Sequence, residues 1–121
     1  MATIKSYTDL SQSRKLAEVL PVESADMCYR IVAYNPNDTH EYQPYCFVGT
    51  FESDIPCWSL AALLELLELP TLEKNGIGKG KTGWMVTHYD VNGMRYDTTY
   101  YDNAVDACYE MILILKENNR L

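Results

Sequence analysis

Cys57 and His88 are the residues of this chain best placed by type to act together. Cys57 follows Ile55-Pro56 at the predicted start of an apolar helix, and a helix N-terminus lowers a thiol pKa and favours the nucleophilic thiolate. Such a nucleophile needs a base, most often histidine, held by a third group. His88 alternates in phase with Trp84 and Val86, whereas His40, the other histidine, lies in a polar loop. No spacing marks a third group. A sheet histidine and an inert cysteine account for the same two residues, and the pattern favours that plainer reading.

Other chemistry is weaker still. Gly76-Ile77-Gly78-Lys79-Gly80-Lys81-Thr82 is like a phosphate-binding loop, but Asn75 stands where that motif needs its first glycine. The segment also feeds a strand-like run, where a phosphate loop would feed a helix. Cys28, Cys46, Cys57 and Cys108 are widely spaced, and no two of the Cys and His residues have structural-zinc spacing, so no metal and no cofactor are expected. Glu65 and Glu110 interrupt apolar helices; buried together they could form an acid/base pair, but the simpler reading places each at the margin of the apolar face, accepting hydrogen bonds from backbone or tyrosine hydroxyls.

Aromatic residues offer a recognition surface instead. Ten tyrosines stand against two phenylalanines. Trp84, Tyr89, Tyr96 and Tyr100 fall on two strand-like runs, Tyr101 directly follows the second, and such residues dominate binding hot spots. They also simply pack across hairpins, and both readings stay open.

The elements that must position these residues are legible in outline. Asp9 and Gln12 have the form of a capping box for a helix over 10–20, which Pro21 ends. Alternation predicts a strand over 29–34, an exposed loop over 35–40 and a second strand over 45–51, paired as a hairpin. Between Pro56 and Pro70 only Ser59, Glu65 and Glu68 interrupt the apolar run, which predicts the most buried helix, over 57–69. Residues 71–83 read as a mobile, locally basic Gly/Lys loop. Strands over 84–89 and 94–100 are joined through Asn92-Gly93, a strong hairpin signal. A final helix spans 104–117, capped by Asp102 or Asn103. The expectation is a single α+β domain with one antiparallel sheet of four or more short strands and three helices.

Composition narrows the function classes. The chain has 121 residues, enough for a real core, and carries a net charge of −7. That balance opposes direct nucleic-acid binding, which needs clustered Lys and Arg. Apolar runs are too interrupted to span a membrane. No basic-then-apolar leader pattern opens the chain, so a cytoplasmic, reducing setting with free thiols is expected.

Thr8 with Gln12, Ser13 and Leu16, then Ser24-Ala25-Asp26-Met27, then Ile55 to Leu60 with Ala62-Leu63-Leu64-Glu65, then Asp106 to Ile112, occur in this order. With them the chain resembles a family of small proteins from Bacteroides-type gut bacteria and their phages and mobile elements. The resemblance implies a genomic setting and brings no catalytic residue. The chain departs from it at Ala104, where proline is frequent, and in the Gly/Lys loop.

The leading functional expectation is a non-enzymatic binding or accessory protein with an unknown protein partner. A small enzyme using Cys57 with His88 is the rival class, and an acidic inhibitor of a nucleic-acid enzyme the third. Binding would use Trp84, Tyr89, Tyr96, Tyr100, and Tyr109 and Ile114 on the last helix. Leu113, Ile114 and Tyr109 lie outside that helix's main apolar stripe. Either a homodimer covers them or the sheet curls around to do so.

Overall fold

The computed structural model describes residues 4–37, 39–68 and 70–121. The protein is α+β: helix α1 (Leu10–Val19), a 3₁₀ turn (Val22–Ser24), strands β1 (Met27–Ala33), β2 (Glu41–Tyr45) and β3 (Ile55–Cys57), helix α2 (Leu60–Glu65), strands β4 (Thr71–Gly78), β5 (Lys81–Tyr89) and β6 (Arg95–Asp97), and helix α3 (Ala104–Glu117). Every strand pairing is antiparallel. Among the described residues, six strands form two sheets of three, ordered β2-β1-β3 and β4-β5-β6, rather than one sheet of four or more. In each sheet the long central strand, β1 or β5, pairs on both sides, and the outer strands form the edges. By its internal contacts the chain divides into two compact units, Tyr7–Ala62 and the stretch Leu63–Leu121 with the segment ending at Ser6.

In the unit Tyr7–Ala62, α1 forms where its cap places it. The Asp9 carboxylate accepts from Gln12 N at 2.8 Å, and the Gln12 carboxamide oxygen accepts from Asp9 N at 3.1 Å. This reciprocal pair satisfies two otherwise orphaned helix donors. Leu16 and Ser13 are buried beneath α1, which packs on β3. Trp58 ties several segments of this unit together. Its side chain is fully buried, and its indole N–H donates to Ser24 Oγ at 2.9 Å. Its backbone is tied twice to Thr8, whose N–H donates to Trp58 O at 2.9 Å and whose hydroxyl accepts from Trp58 N at 3.2 Å.

The helix expected over 57–69 is much shorter. Pro56 lies in β3, an edge strand, where a missing N–H costs no ladder bond. Ser59 then caps α2: its hydroxyl accepts from Ala62 N at 3.2 Å and itself donates to the Asp26 carboxylate, which also takes Ser59 N. Bonds from Leu66 N to Leu63 O and from Leu67 N to Leu64 O tighten the far end into 3₁₀ geometry. Leu63 and Leu67 are buried, Leu60 is half-buried and Glu65 is exposed, so Glu65 is no buried carboxylate.

In the other unit the most buried element is α3, with Ala104, Val105, Ala107, Cys108, Met111, Ile112 and Leu115 inside. It packs on β5 and starts at Asn103, whose side chain accepts from Asp106 N at 2.8 Å. The expected loop over 71–83 is instead mostly strand: β4 pairs with β5 from Thr71↔Thr87 to Gly78↔Lys81. Positive φ at Gly78 (100°), Lys79 (53°) and Gly80 (73°) lets the chain reverse there, which glycine does without steric penalty. The strand expected over 45–51 also moves: β1 pairs with residues 41–45, leaving the stretch beyond Cys46 free.

Replacing Trp58 by alanine removes a fully buried ring and its hydrogen bond to the Ser24 hydroxyl, which keeps its own bond to Pro21 O. The expected cost is about 3–5 kcal/mol, read as a lowered midpoint in urea denaturation; a shift within the scatter of surface variants would mean that the ring is not core.

Candidate functional site

Cys57 and His88, singled out by sequence, belong to different compact units. Cys57 lies in β3, not at a helix N-terminus, and its neighbours are Thr8 Oγ1 at 3.6 Å and Thr8 O at 3.5 Å. Burial pushes its thiol pKa up, the reverse of activation. His88 belongs to β5, in the other unit, where its Nδ1 accepts from Glu68 N at 3.1 Å. The rival enzyme reading therefore loses the helix terminus on which its nucleophile depended.

Trp84, Tyr89 and Tyr96 are half-buried, as is Tyr101, and Tyr100 alone of this set is exposed. Trp84 and Tyr101 exchange backbone hydrogen bonds at 2.7 and 2.8 Å. The Lys74 ammonium sits 5.5 Å from the Trp84 ring centroid, and the Tyr96 ring lies 6.3 Å from that of His88. These contacts are those of cross-strand packing. On α3, Tyr109, Leu113 and Ile114 are half-buried, so the flank is narrower than its sequence suggests.

A different surface is built around Arg30 and Asp54. Arg30 rises from β1, and its Nε and Nη2 donate to the two oxygens of Asp54 at 3.0 and 2.8 Å. Only 3% of the Asp54 side chain is exposed. The same carboxylate accepts from Thr50 N at 3.1 Å and Phe51 N at 3.0 Å, closing residues 50–54 into a tight turn. Gly49 packs against it so closely that a Cβ there would meet Asp54 Cβ at 2.7 Å, so no other residue fits without movement.

Aromatic rings gather on the guanidinium that holds this loop. Its carbon lies 4.1 Å from the Phe51 centroid, 5.1 Å from Phe47 and 6.0 Å from Tyr45. Cation–π attraction of this kind is electrostatic and strengthens where water is partly excluded. Yet the rings remain open to solvent: Phe47 is 44% and Phe51 60% exposed, with Val48 and Val22 at 54% and 52%. Beside them is a pocket of about 200 Å³ whose walls combine Val22, Met27, Val48 and Pro56 with Glu52 and Asp54. Sequence reasoning passed this surface over because it read 45–51 as a strand. One signal could have found it: both of the chain's phenylalanines fall within five residues of each other, at 47 and 51.

The chain matches no family model, no curated protein and no solved structure. No helix among the described residues is long and apolar enough to cross a membrane.

Two outcomes follow from the charges and thiols. Arg30 holds the Asp54 carboxyl at about 2, helped by the Phe51 and Thr50 N–H groups, below its ordinary value of 3.8. A depressed folded-state pKa contributes stability that is complete above the unfolded value, about 3.9, and is lost as pH falls through the folded one. The stability gap between wild type and Asp54→Asn, measured in urea, should therefore close progressively between pH about 4 and pH about 2; a gap that is constant down to the lower end would break the assignment. Thiol labelling with a chromogenic disulfide near neutral pH should modify Cys46, which is exposed, at once. Cys28, Cys57 and Cys108 are buried with raised thiol pKa values, that of Cys108 reaching about 12, and should react only on unfolding.

Proposed function

We propose that this chain is a non-enzymatic binding protein that holds a protein partner on the loop at residues 46–54. The observation that carries the reading is the exposed group of Val22, Phe47, Val48 and Phe51 beside a small pocket of mixed polarity. Large apolar side chains grouped in the open usually mark an interaction site. Here Phe47, Val48 and Phe51 stand on a loop that Asp54 and Arg30 make rigid, so little ordering entropy is lost when a partner docks. A volume of about 200 Å³ is below the range of small-molecule sites, about 300–1,000 Å³, and suits one inserted side chain. Glu52 at the rim and the net charge of −7 favour a partner segment with basic residues beside that side chain. Tyr100, Trp84, Tyr89 and Tyr96 belong to a second, weaker surface, and Tyr109 with Ile114 to a third. The resemblance to proteins of gut bacteria and their mobile elements supports looking for the partner in that biology.

Light scattering and affinity capture from the native host test the reading together. A mass near the chain's own 13.9 kDa leaves the rim free for a foreign partner. A protein captured by wild type and by Tyr100→Ser, but lost at least about tenfold in Phe51→Ser, is the expected result, since fully burying a phenylalanine is worth about 1.5–3 kcal/mol. Capture that survives Phe51→Ser with Phe47→Ser overturns it. A doubled mass that Phe51→Asp returns to one chain makes a second copy the occupant, and one that only Ile114→Asp dissolves moves the interface to α3.

A further inference from the structure

Two buried polar side-chain atoms lack a hydrogen-bond partner among the described residues, His88 Nε2 and Asp90 Oδ2, and both residues line the same cleft. Buried polar atoms nearly always find partners, so two orphans in one cleft point to a ligand that supplies them. His88 is 2% exposed and sits two residues before Asp90 on the same run of chain. The cleft holds about 400 Å³, within the small-molecule range. It lies wholly within residues 66–121.

Local structure settles what each orphan offers. Glu68 N–H donates to His88 Nδ1 at 3.1 Å, which places the ring proton of that tautomer on Nε2. Nε2 is thus a donor with no lone pair for a metal. Asp90 Oδ1 is already taken by the turn that follows β5, accepting from Asn92 N and Met94 N, each at 2.9 Å. Oδ2 is left as an acceptor only. Arg120 Nε stands 3.9 Å from it, an ion pair too long for a hydrogen bond. Arg120 reaches this wall because α3 ends in a left-handed residue, Asn119 with φ 55°. Arg120 N then bonds Leu115 O at 2.8 Å and Asn119 N bonds Lys116 O at 3.1 Å, the Schellman pattern.

A ligand must therefore accept a hydrogen bond at one point and donate one at another. Asp90 and Glu68 outweigh Arg120 in charge along the lining, which opposes a carboxylate or phosphate. Residues two apart on an extended chain are separated by about 6.5–7 Å, a span that neighbouring hydroxyls on one carbon skeleton can serve. Leu66 and Val91 in the lining suit its C–H surface. We propose that the cleft binds a small neutral polyhydroxylated molecule of the monosaccharide class, one hydroxyl oxygen accepting from His88 Nε2–H and another hydroxyl donating to Asp90 Oδ2.

The test uses the full ¹⁵N-labelled chain, with the His88 ring nitrogens observed by long-range proton–nitrogen correlation. D-Glucose, D-galactose and D-mannose are each titrated to tens of millimolar, with sodium phosphate as the anionic control. The expected result is a saturable shift of His88 Nε2 with at least one sugar. Asp90→Asn, which keeps the Oδ1 acceptor of the turn, should weaken that binding at least tenfold. Phe51→Ser should leave it unchanged, which separates this site from the binding loop. His88→Gln serves as a second variant should Asp90→Asn fail to fold, and it too should weaken the shift seen from the cleft's backbone amides. A proton on Nδ1 in the free protein, a saturable shift with phosphate alone, or no saturable shift with any of the three sugars overturns the proposal.

Discussion

A carboxylate taken out of water must be paired and hydrogen-bonded or it will not stay ionised. Asp54 meets that demand with four donors, two from the Arg30 guanidinium and two from the backbone of Thr50 and Phe51. The surface of the unit Tyr7–Ala62 depends on this arrangement. Because the donors include consecutive backbone N–H groups, the loop has to curl around the carboxylate. Because Arg30 is held flat against Asp54, it leaves a guanidinium face for rings to stack on. Phe47 and Phe51 come to rest there, part stacked and part in water. Ion pairing thus determines where apolar surface is displayed, an unusual order of cause for a hydrophobic rim.

The same accounting runs through the rest of the chain. Trp58 N–H finds Ser24, the Ser59 hydroxyl finds Asp26, and Thr87 Oγ1 donates to Asp97 Oδ1 at 2.6 Å. Each joins residues distant in sequence, so each also positions an element. Asp26 and Ser59 together decide where α2 begins. Thr98 brackets Val86, its hydroxyl accepting from Val86 N at 3.0 Å and its own N–H donating to Val86 O at 3.1 Å. Against this background of partnered groups, the two unmet atoms beside Asn119 and Arg120 stand apart. Among the described residues, the buried side-chain polar atoms left without a partner are this one donor and this one acceptor, and both belong to residues lining one cleft.

Where sequence and structure agree, the signal was local. The Asp9–Gln12 box and the Asn103 cap act within four residues, and both helices start where those residues place them. The stripe of Val105, Cys108, Met111, Ile112 and Leu115 is a period-3.6 pattern and became the buried face of α3. Where they differ, the deciding partner was remote. Residues 71–78 look like a loop because they hold two glycines and a lysine, yet pairing with β5 makes them a strand, as context overrides weak β propensity. The apolar run after Pro56 looks like a long helix, but β1 claims residues 55–57 and Asp26 claims Ser59. The candidate site was the least legible part, since Arg30 and Asp54 are 24 residues apart and no short spacing joins them.

The sequence by itself therefore determined the α+β class, the ends of α1 and α3, the Asp90–Met94 turn and the burial of three of the four cysteines, because caps, periodicity and turn chemistry act over one or two turns of chain. Only the tertiary structure decided that the strands divide into two sheets, that the phenylalanines face water, and that His88 and Asp90 share a cleft with Arg120. Those outcomes depend on which distant groups meet, and burial enforces the meeting by making an unpartnered charge or N–H costly.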